Sequence, residues 1–102
     1  MTPVEFIQRL NDKQRLTLLD VREEWELGIA KLGMAVHIPM DQVPDRLADL
    51  ASDSEIVVIC RSGGRSRQVV DFLQRNGYAN VSNLTGGILA WAEQIDNDLP
   101  VY

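Results

Sequence analysis

The spacing of apolar positions changes several times along the chain, and each change marks an element. Val4, Phe6, Ile7 and Leu10 recur at helical intervals behind Thr2, Pro3 and Glu5. Thr2 and Glu5 stand at capping-box spacing, and Pro3 suits a first helical position, where its missing N–H is not needed. A helix of about two turns is therefore expected from Pro3. Residues 16–21 read as a strand, and residues 23–27 as a short helix containing Trp25 and closed by Gly28. Residues 35–38 form a second short strand stopped by Pro39, after which Val43, Leu47 and Leu50 return to helical spacing with Asp41 as the cap. Residues 56–59 are an unbroken β-branched run, the pattern of a central strand covered on both faces. Helical spacing resumes over residues 66–76 through Val69, Val70 and Leu73, with Gly77 as a left-handed stop. Residues 81–84 make the last strand. Gly86 and Gly87 turn the chain into a closing helix with Ile88, Leu89, Trp91 and Ile95 as its buried side, and residues 97–102 carry no assignable period.

Strands alternating with helices imply right-handed crossovers and an α/β fold, a parallel four- to five-stranded sheet with helices on both faces. No repeat, low-complexity tract or linker divides the chain, so residues 1–102 are expected to form a single domain. In such sheets ligands sit beyond the carboxyl ends of the strands. Asp20 and Cys60 both fall there.

Composition narrows the function classes. With 45% hydrophobic and 25% charged residues the chain has ordinary globular character. No apolar run approaches the length of a bilayer span, and the first residues include Glu5 and Arg9, so neither a membrane anchor nor an export leader is expected. One cysteine cannot form an internal disulfide, and one cysteine with one histidine falls short of a zinc cluster, so no metal and no cofactor are expected and a reducing cytoplasm fits. A net charge of −5 argues against nucleic acid as a partner. Within this acidic chain, Arg61, Arg65 and Arg67 make a basic island next to Cys60 with no acid among them. An anionic ligand would be attracted there.

The segment Cys60-Arg61-Ser62-Gly63-Gly64-Arg65-Ser66 joins the central strand to a helix. Two glycines let the backbone curl so that successive N–H groups point at one spot, with the positive end of the helix behind them. A thiol there, beside Arg61 and Arg65, ionises more readily than a free cysteine and becomes a nucleophile near neutral pH. The plain alternative is a small core residue, since cysteine is among the most buried residue types. A Walker-type phosphate loop is excluded by the absent Gly-Lys-Ser/Thr ending.

Cys60 to Arg65 resembles the active-site loop of the rhodanese family. Leu19-Asp20-Val21-Arg22-Glu23, His37-Ile38-Pro39, Asn83-Leu84-Thr85-Gly86-Gly87-Ile88 and Ala90-Trp91 are also similar to family segments, so the resemblance spans nearly the whole chain. It implies a sulfurtransferase working by double displacement. Cys60 takes the outer sulfur of a small anionic donor such as thiosulfate, holds it as a persulfide and passes it to a thiophilic acceptor. Arg65 and Arg61 are candidates to hold the donor's sulfonate, with solvated surface arginines as the alternative, and Arg67 reads as surface. Ser62 and Ser66 are candidate hydroxyl donors to the anion, with Ser66 equally a helix cap. Asp20 is expected to support the loop without taking part in chemistry. The usual Gly-His-Ile segment reads Gly28-Ile29-Ala30, which leaves His37, on a strand, in a structural role.

Trp25 and Trp91 read as core aromatics, and Glu23, Glu24 and Glu26 as a solvated helix face. A cysteine-dependent phosphatase or arsenate reductase is the nearest rival, but it needs a cysteine, five residues and an arginine, and Ser66 occupies that arginine position. A non-catalytic interaction module is the other alternative; the complete cysteine loop weighs against it. The segments around residues 37–47 and 98–102 are similar to rhodanese domains fused to adenylating enzymes, which makes a sulfur-carrier protein a candidate acceptor.

Overall fold

The computed structural model describes residues 1–102. The elements run in the order α1 (Pro3–Asn11), β1 (Leu16–Asp20), α2 (Glu24–Leu27), β2 (Val36–His37), a 3-10 helix (Met40–Asp49), β3 (Glu55–Ile59), α3 (Gly64–Arg75), β4 (Val81–Asn83) and α4 (Gly87–Gln94). All four strands are parallel, in the order β2-β1-β3-β4. No fifth strand forms. Met1 does run beside the end of β4, its amine donating to the Asn83 carbonyl at 3.1 Å and its carbonyl accepting from the Thr85 amide at 2.8 Å, but the ladder goes no further. No helix is long and apolar enough to cross a membrane.

Local chemistry explains where elements start and where they depart from expectation. α1 opens with the expected reciprocal cap: the Glu5 amide donates to Thr2 Oγ1 at 3.1 Å and the Thr2 amide to Glu5 Oε1 at 3.4 Å. The segment after Pro39 is a 3-10 helix rather than an α-helix. Pro44 within it has no N–H to donate and its ring crowds the preceding turn, and the backbone breaks at Arg46 (φ −120°, ψ 22°). Val43 and Leu50 still reach the core. Ile95 caps the end of α4 and is exposed rather than buried. Trp25 is not a core residue either; it is 64% exposed, because the single turn of α2 points its neighbour Glu26 inward instead.

The sheet separates two apolar layers, and β3 feeds both. Ile56 and Val58 face Leu19, Val43, Val69 and Leu73, under α3 and the 3-10 helix. Val57 and Ile59 face Phe6, Leu18, Ile88 and Trp91, under α1 and α4. Alternation along the strand therefore fills both sides, which is why residues 56–59 show no polar position and only Glu55, at the strand's start, is charged. The rings of Phe6 and Trp91 meet at 5.8 Å between centroids and tie α1 to α4.

The start of α4 holds the end of β3 in place. The Ile88 amide donates to the Cys60 carbonyl at 2.8 Å and the Leu89 amide to the Arg61 carbonyl at 3.2 Å. This approach needs glycine at position 87, where φ is +61° and an added Cβ would lie 2.5 Å from the carbonyl oxygens of both Cys60 and Arg61. Gly87→Ala is thus expected to lose about 1–3 kcal/mol from backbone conformation alone, with the clash adding to it. Denaturant unfolding of the variant against the parent measures the loss, and equal midpoints would contradict it.

Candidate active site

Cys60 follows directly on β3 and keeps the strand's alternation, so its side chain falls on the same face as Ile56 and Val58, beneath the start of α3. α3 begins at Gly64, two residues before the expected start, and Gly63 rather than Ser66 is its cap. Gly63 adopts φ 123°, a conformation that strains any residue with a Cβ, and this bend curls the loop over the sulfur. The Gly63 amide donates to Cys60 Sγ at 3.0 Å, and Ser66 Oγ lies 3.3 Å from the same atom.

Ser66 is fully buried and sits at the centre of a small polar cluster. Its Oγ is 3.1 Å from the Gly63 carbonyl and 2.5 Å from Asn83 Oδ1, while Asn83 Nδ2 donates to the Gly63 carbonyl at 3.2 Å. Burial alone pushes the Cys60 thiol up. The Ser66 hydroxyl and the backbone N–H groups of Ser66, Gly63 and Ser62 together outweigh it, so the thiol lies below its ordinary value.

The arginines stand apart from the sulfur. Arg65 grips Glu26 with both ends of its fork, Nη1 to Oε2 at 2.6 Å and Nη2 to Oε1 at 2.7 Å. Glu26 first, and the Cys60 charge to a lesser degree, hold its guanidinium more firmly protonated. Arg61 donates through Nε to the Tyr102 carbonyl at 2.6 Å and lies 5.3 Å above the centre of the Tyr102 ring. Arg67 is exposed, as expected, and lines an open polar pocket of about 320 Å³ together with Ser62, Gly63, Gly64, Asn83, Thr85 and Gly86.

Behind the loop lies a buried ionic chain. Asp20, 1% exposed, accepts from the Arg22 guanidinium, with Oδ2 2.7 Å from Nη2. Arg22 passes Nη2 to the Ala30 carbonyl at 2.7 Å and Nη1 to the Tyr102 hydroxyl at 3.1 Å, and that hydroxyl donates to Glu26 Oε1 at 2.9 Å. The Asp20 side chain therefore reaches the loop through Arg22, Tyr102, Glu26 and Arg65. His37 contributes a 2.6 Å contact between Nε2 and the Arg22 carbonyl.

Glu26 is a correction to the solvated-face reading, which Glu23 and Glu24 satisfy. Its carboxylate turns inward to Arg65, Tyr102 and the Glu23 amide. The one available signal was its three-residue separation from Glu23, which is capping-box spacing. Asn83 and Tyr102 also belong to this region and carried no local signal as site residues; both arrive by tertiary folding from elements distant in sequence.

A thiol under N–H and hydroxyl groups, at the carboxyl end of a parallel sheet, defines the class of α/β proteins that carry a cysteine on a strand-to-helix loop. Within that class the chain belongs to the rhodanese-like domain family, which it matches over residues 2–94. It is similar to a sulfurtransferase of Allochromatium vinosum, 40% identical over 83% of this chain and 79% of that one. The adenylyltransferase and sulfurtransferase MOCS3-2 of Zea mays is 32% identical over 96% of this chain, which spans 22% of that longer protein. Among solved structures, a rhodanese-like domain protein from Staphylococcus aureus superposes with a TM-score of 0.85 at 30% identity, covering 100% of this chain and 96% of that one.

Arg65 holds the Glu26 carboxyl down to about 2, against 4.5 ordinarily; burial opposes this, and the Glu23 amide and Tyr102 hydroxyl assist. A lowered folded-state value stabilises the fold above the ordinary carboxylate range, and that stability is lost as protons bind. Stability should therefore fall as pH drops from about 4.5 towards 2. In Glu26→Gln this component of the slope should be missing, as read by unfolding midpoints across that range. An unchanged slope would show that the pair does not couple to folding.

Proposed function

We propose that Cys60 carries sulfur as a persulfide between a small anionic donor, with thiosulfate as the type case, and a thiophilic acceptor. In the first half-reaction the thiolate attacks the donor's outer sulfur. A bond forms between Sγ and that sulfur, the donor's S–S bond breaks, and sulfite leaves with the electron pair. In the second, the acceptor attacks the outer sulfur and the pair returns to Sγ. The single observation that supports this most strongly is the buried Sγ with the Gly63 N–H at 3.0 Å and Ser66 Oγ at 3.3 Å, donors suited to negative charge at that atom.

In this reading the backbone of Arg61, Ser62, Gly63, Gly64, Arg65 and Ser66 receives the developing charge. Arg61 and Arg65, each held by a protein partner, remain the candidates to meet the donor's sulfonate through the N–H groups they do not use on Tyr102 and Glu26. Asp20 supports the loop through the ionic chain behind it. Phosphate chemistry is disfavoured because Ser66, in the place where a phosphatase needs arginine, is turned inward to the sulfur. A sulfur-carrier protein stands as a candidate acceptor beside cyanide and small thiols, by analogy with the maize relative, which is named as both an adenylyltransferase and a sulfurtransferase. A reducing cytoplasm suits a lone thiol.

Intact mass of the purified protein tests this reading. It should gain one sulfur atom on exposure to thiosulfate and lose it on exposure to cyanide, whereas Cys60→Ser should stay unchanged in mass and retain its unfolding midpoint. No gain in the parent, or a gain in a folded Cys60→Ser protein, would refute it.

A further inference from the structure

We infer that Asn83 is a positioning residue that competes with Cys60 for the single proton of the Ser66 hydroxyl, and so governs how readily Sγ holds negative charge. This rests on Cys60 being the sulfur carrier only for its consequence in turnover; the competition itself follows from the hydrogen-bond arrangement.

The Gly63 carbonyl can only accept, so Asn83, 3.2 Å away, must present its NH2 group to it. That fixes the orientation of the amide and turns Oδ1 towards Ser66 Oγ at 2.5 Å. An amide oxygen also only accepts, so the Ser66 proton points to Asn83. The second oxygen within reach of Ser66, the Gly63 carbonyl at 3.1 Å, is another acceptor. Around one hydroxyl proton there are thus two oxygen acceptors and one sulfur.

Each state of Cys60 uses that proton differently. As a thiol, Cys60 can donate its own S–H to Ser66 Oγ, and Ser66 keeps its bond to Asn83. As a thiolate, Sγ has no proton to give, and Ser66 must swing its proton to sulfur and abandon Asn83. In the persulfide the charge moves to the outer sulfur, Sγ is neutral, and the proton returns to Asn83. The free thiolate is then the one state that costs Asn83 its partner, so Asn83 opposes it both as attacking group and as the group released when the acceptor takes the sulfur. Besides the exposed Arg67, which lines the pocket over the loop, the charged groups near Cys60 are Arg61 on the loop, Arg65 on α3, Asp20 and Arg22 at the end of β1, and Glu26 on α2. The last five are paired within the protein. β4 brings no charged side chain, and the α4 carboxylate, Glu93, is exposed.

The test is the pH dependence of Cys60 alkylation by iodoacetamide in the parent and in Asn83→Ala, Asn83→Val, Ser66→Ala and the Ser66→Ala/Asn83→Ala double variant. Removing the competing oxygen should lower the inflection by roughly half a unit to one unit, the worth of one neutral hydrogen bond. Removing the hydroxyl should raise it, and the double variant should lie no lower than Ser66→Ala, because the competition needs the Ser66 hydroxyl and the one other link of Asn83 to the site, its Nδ2 on the Gly63 carbonyl, can only loosen the loop when lost. Asn83→Val, with a side chain suited to a strand, gives a second reading should the alanine variant fail to fold. A merely structural role would let the loop loosen and move the Asn83 variants upward. An upward or absent shift there, or a downward shift from Asn83→Ala that persists without the Ser66 hydroxyl, would overturn the inference. Alkylation needs no sulfur donor, so a protein that takes no sulfur from thiosulfate but shows these shifts would refute the proposed function and leave this inference standing.

Discussion

The alternation of β3 carries one residue beyond the strand, and that parity decides what Cys60 can be. Ile56 and Val58 point under α3, so the side chain of residue 60 must point there too, towards the N–H groups at the helix start. A shift of one position would turn the thiol to the opposite layer, among Ile59, Ile88 and Trp91, where it would be an inert core cysteine. The α4 amides on the Cys60 and Arg61 carbonyls fix the same stretch from the other side, and Gly87 makes that contact possible. Strand parity aims the thiol, and α4 holds it there.

From this follows a division of labour in the charge around the site. The sulfur itself is met by neutral donors, one hydroxyl and several backbone N–H groups, which need no counter-charge of their own to be buried. The formal charges stand further back, paired from Asp20 to Arg22 and from Glu26 to Arg65, with the Tyr102 hydroxyl bridging the two pairs. Buried ions of this kind are stable only when each finds its partner, and no buried polar side chain here is left without one. The loop therefore rests through Arg65 on a chain of paired ions, while neutral groups face the sulfur.

The fold was largely legible from residue pattern because its signals are local. The capping box at Thr2 and Glu5, the β-branched run at 56–59 and the Gly86-Gly87 turn each state their element within a few residues. The 3-10 pitch of residues 40–49 was not legible, because the spacing of Val43, Leu47 and Leu50 fits a helix of either pitch and Pro44 disrupts the α-helical one. In the site, the loop and its cysteine were legible from glycine and arginine content, but the partners of the arginines were not. Glu26 reaches Arg65 across 39 positions and Asn83 reaches Ser66 across 17, and such pairings are set by the packing of whole elements. Trp25 and Glu26 exchanged their expected places for the same reason: in one turn of helix, a buried ion pair took the inward direction.

The central claim is that short-range hydrogen bonds, rather than the neighbouring arginines, hold negative charge on Cys60. Ultraviolet absorbance of the thiolate, followed against pH at low and at high ionic strength, tests it most directly, because salt screens exposed charges much more than buried hydrogen bonds. The inflection should lie below that of an unperturbed thiol and stay in place as salt is added. An inflection at the ordinary value, or one that climbs back to it in high salt, would contradict the account.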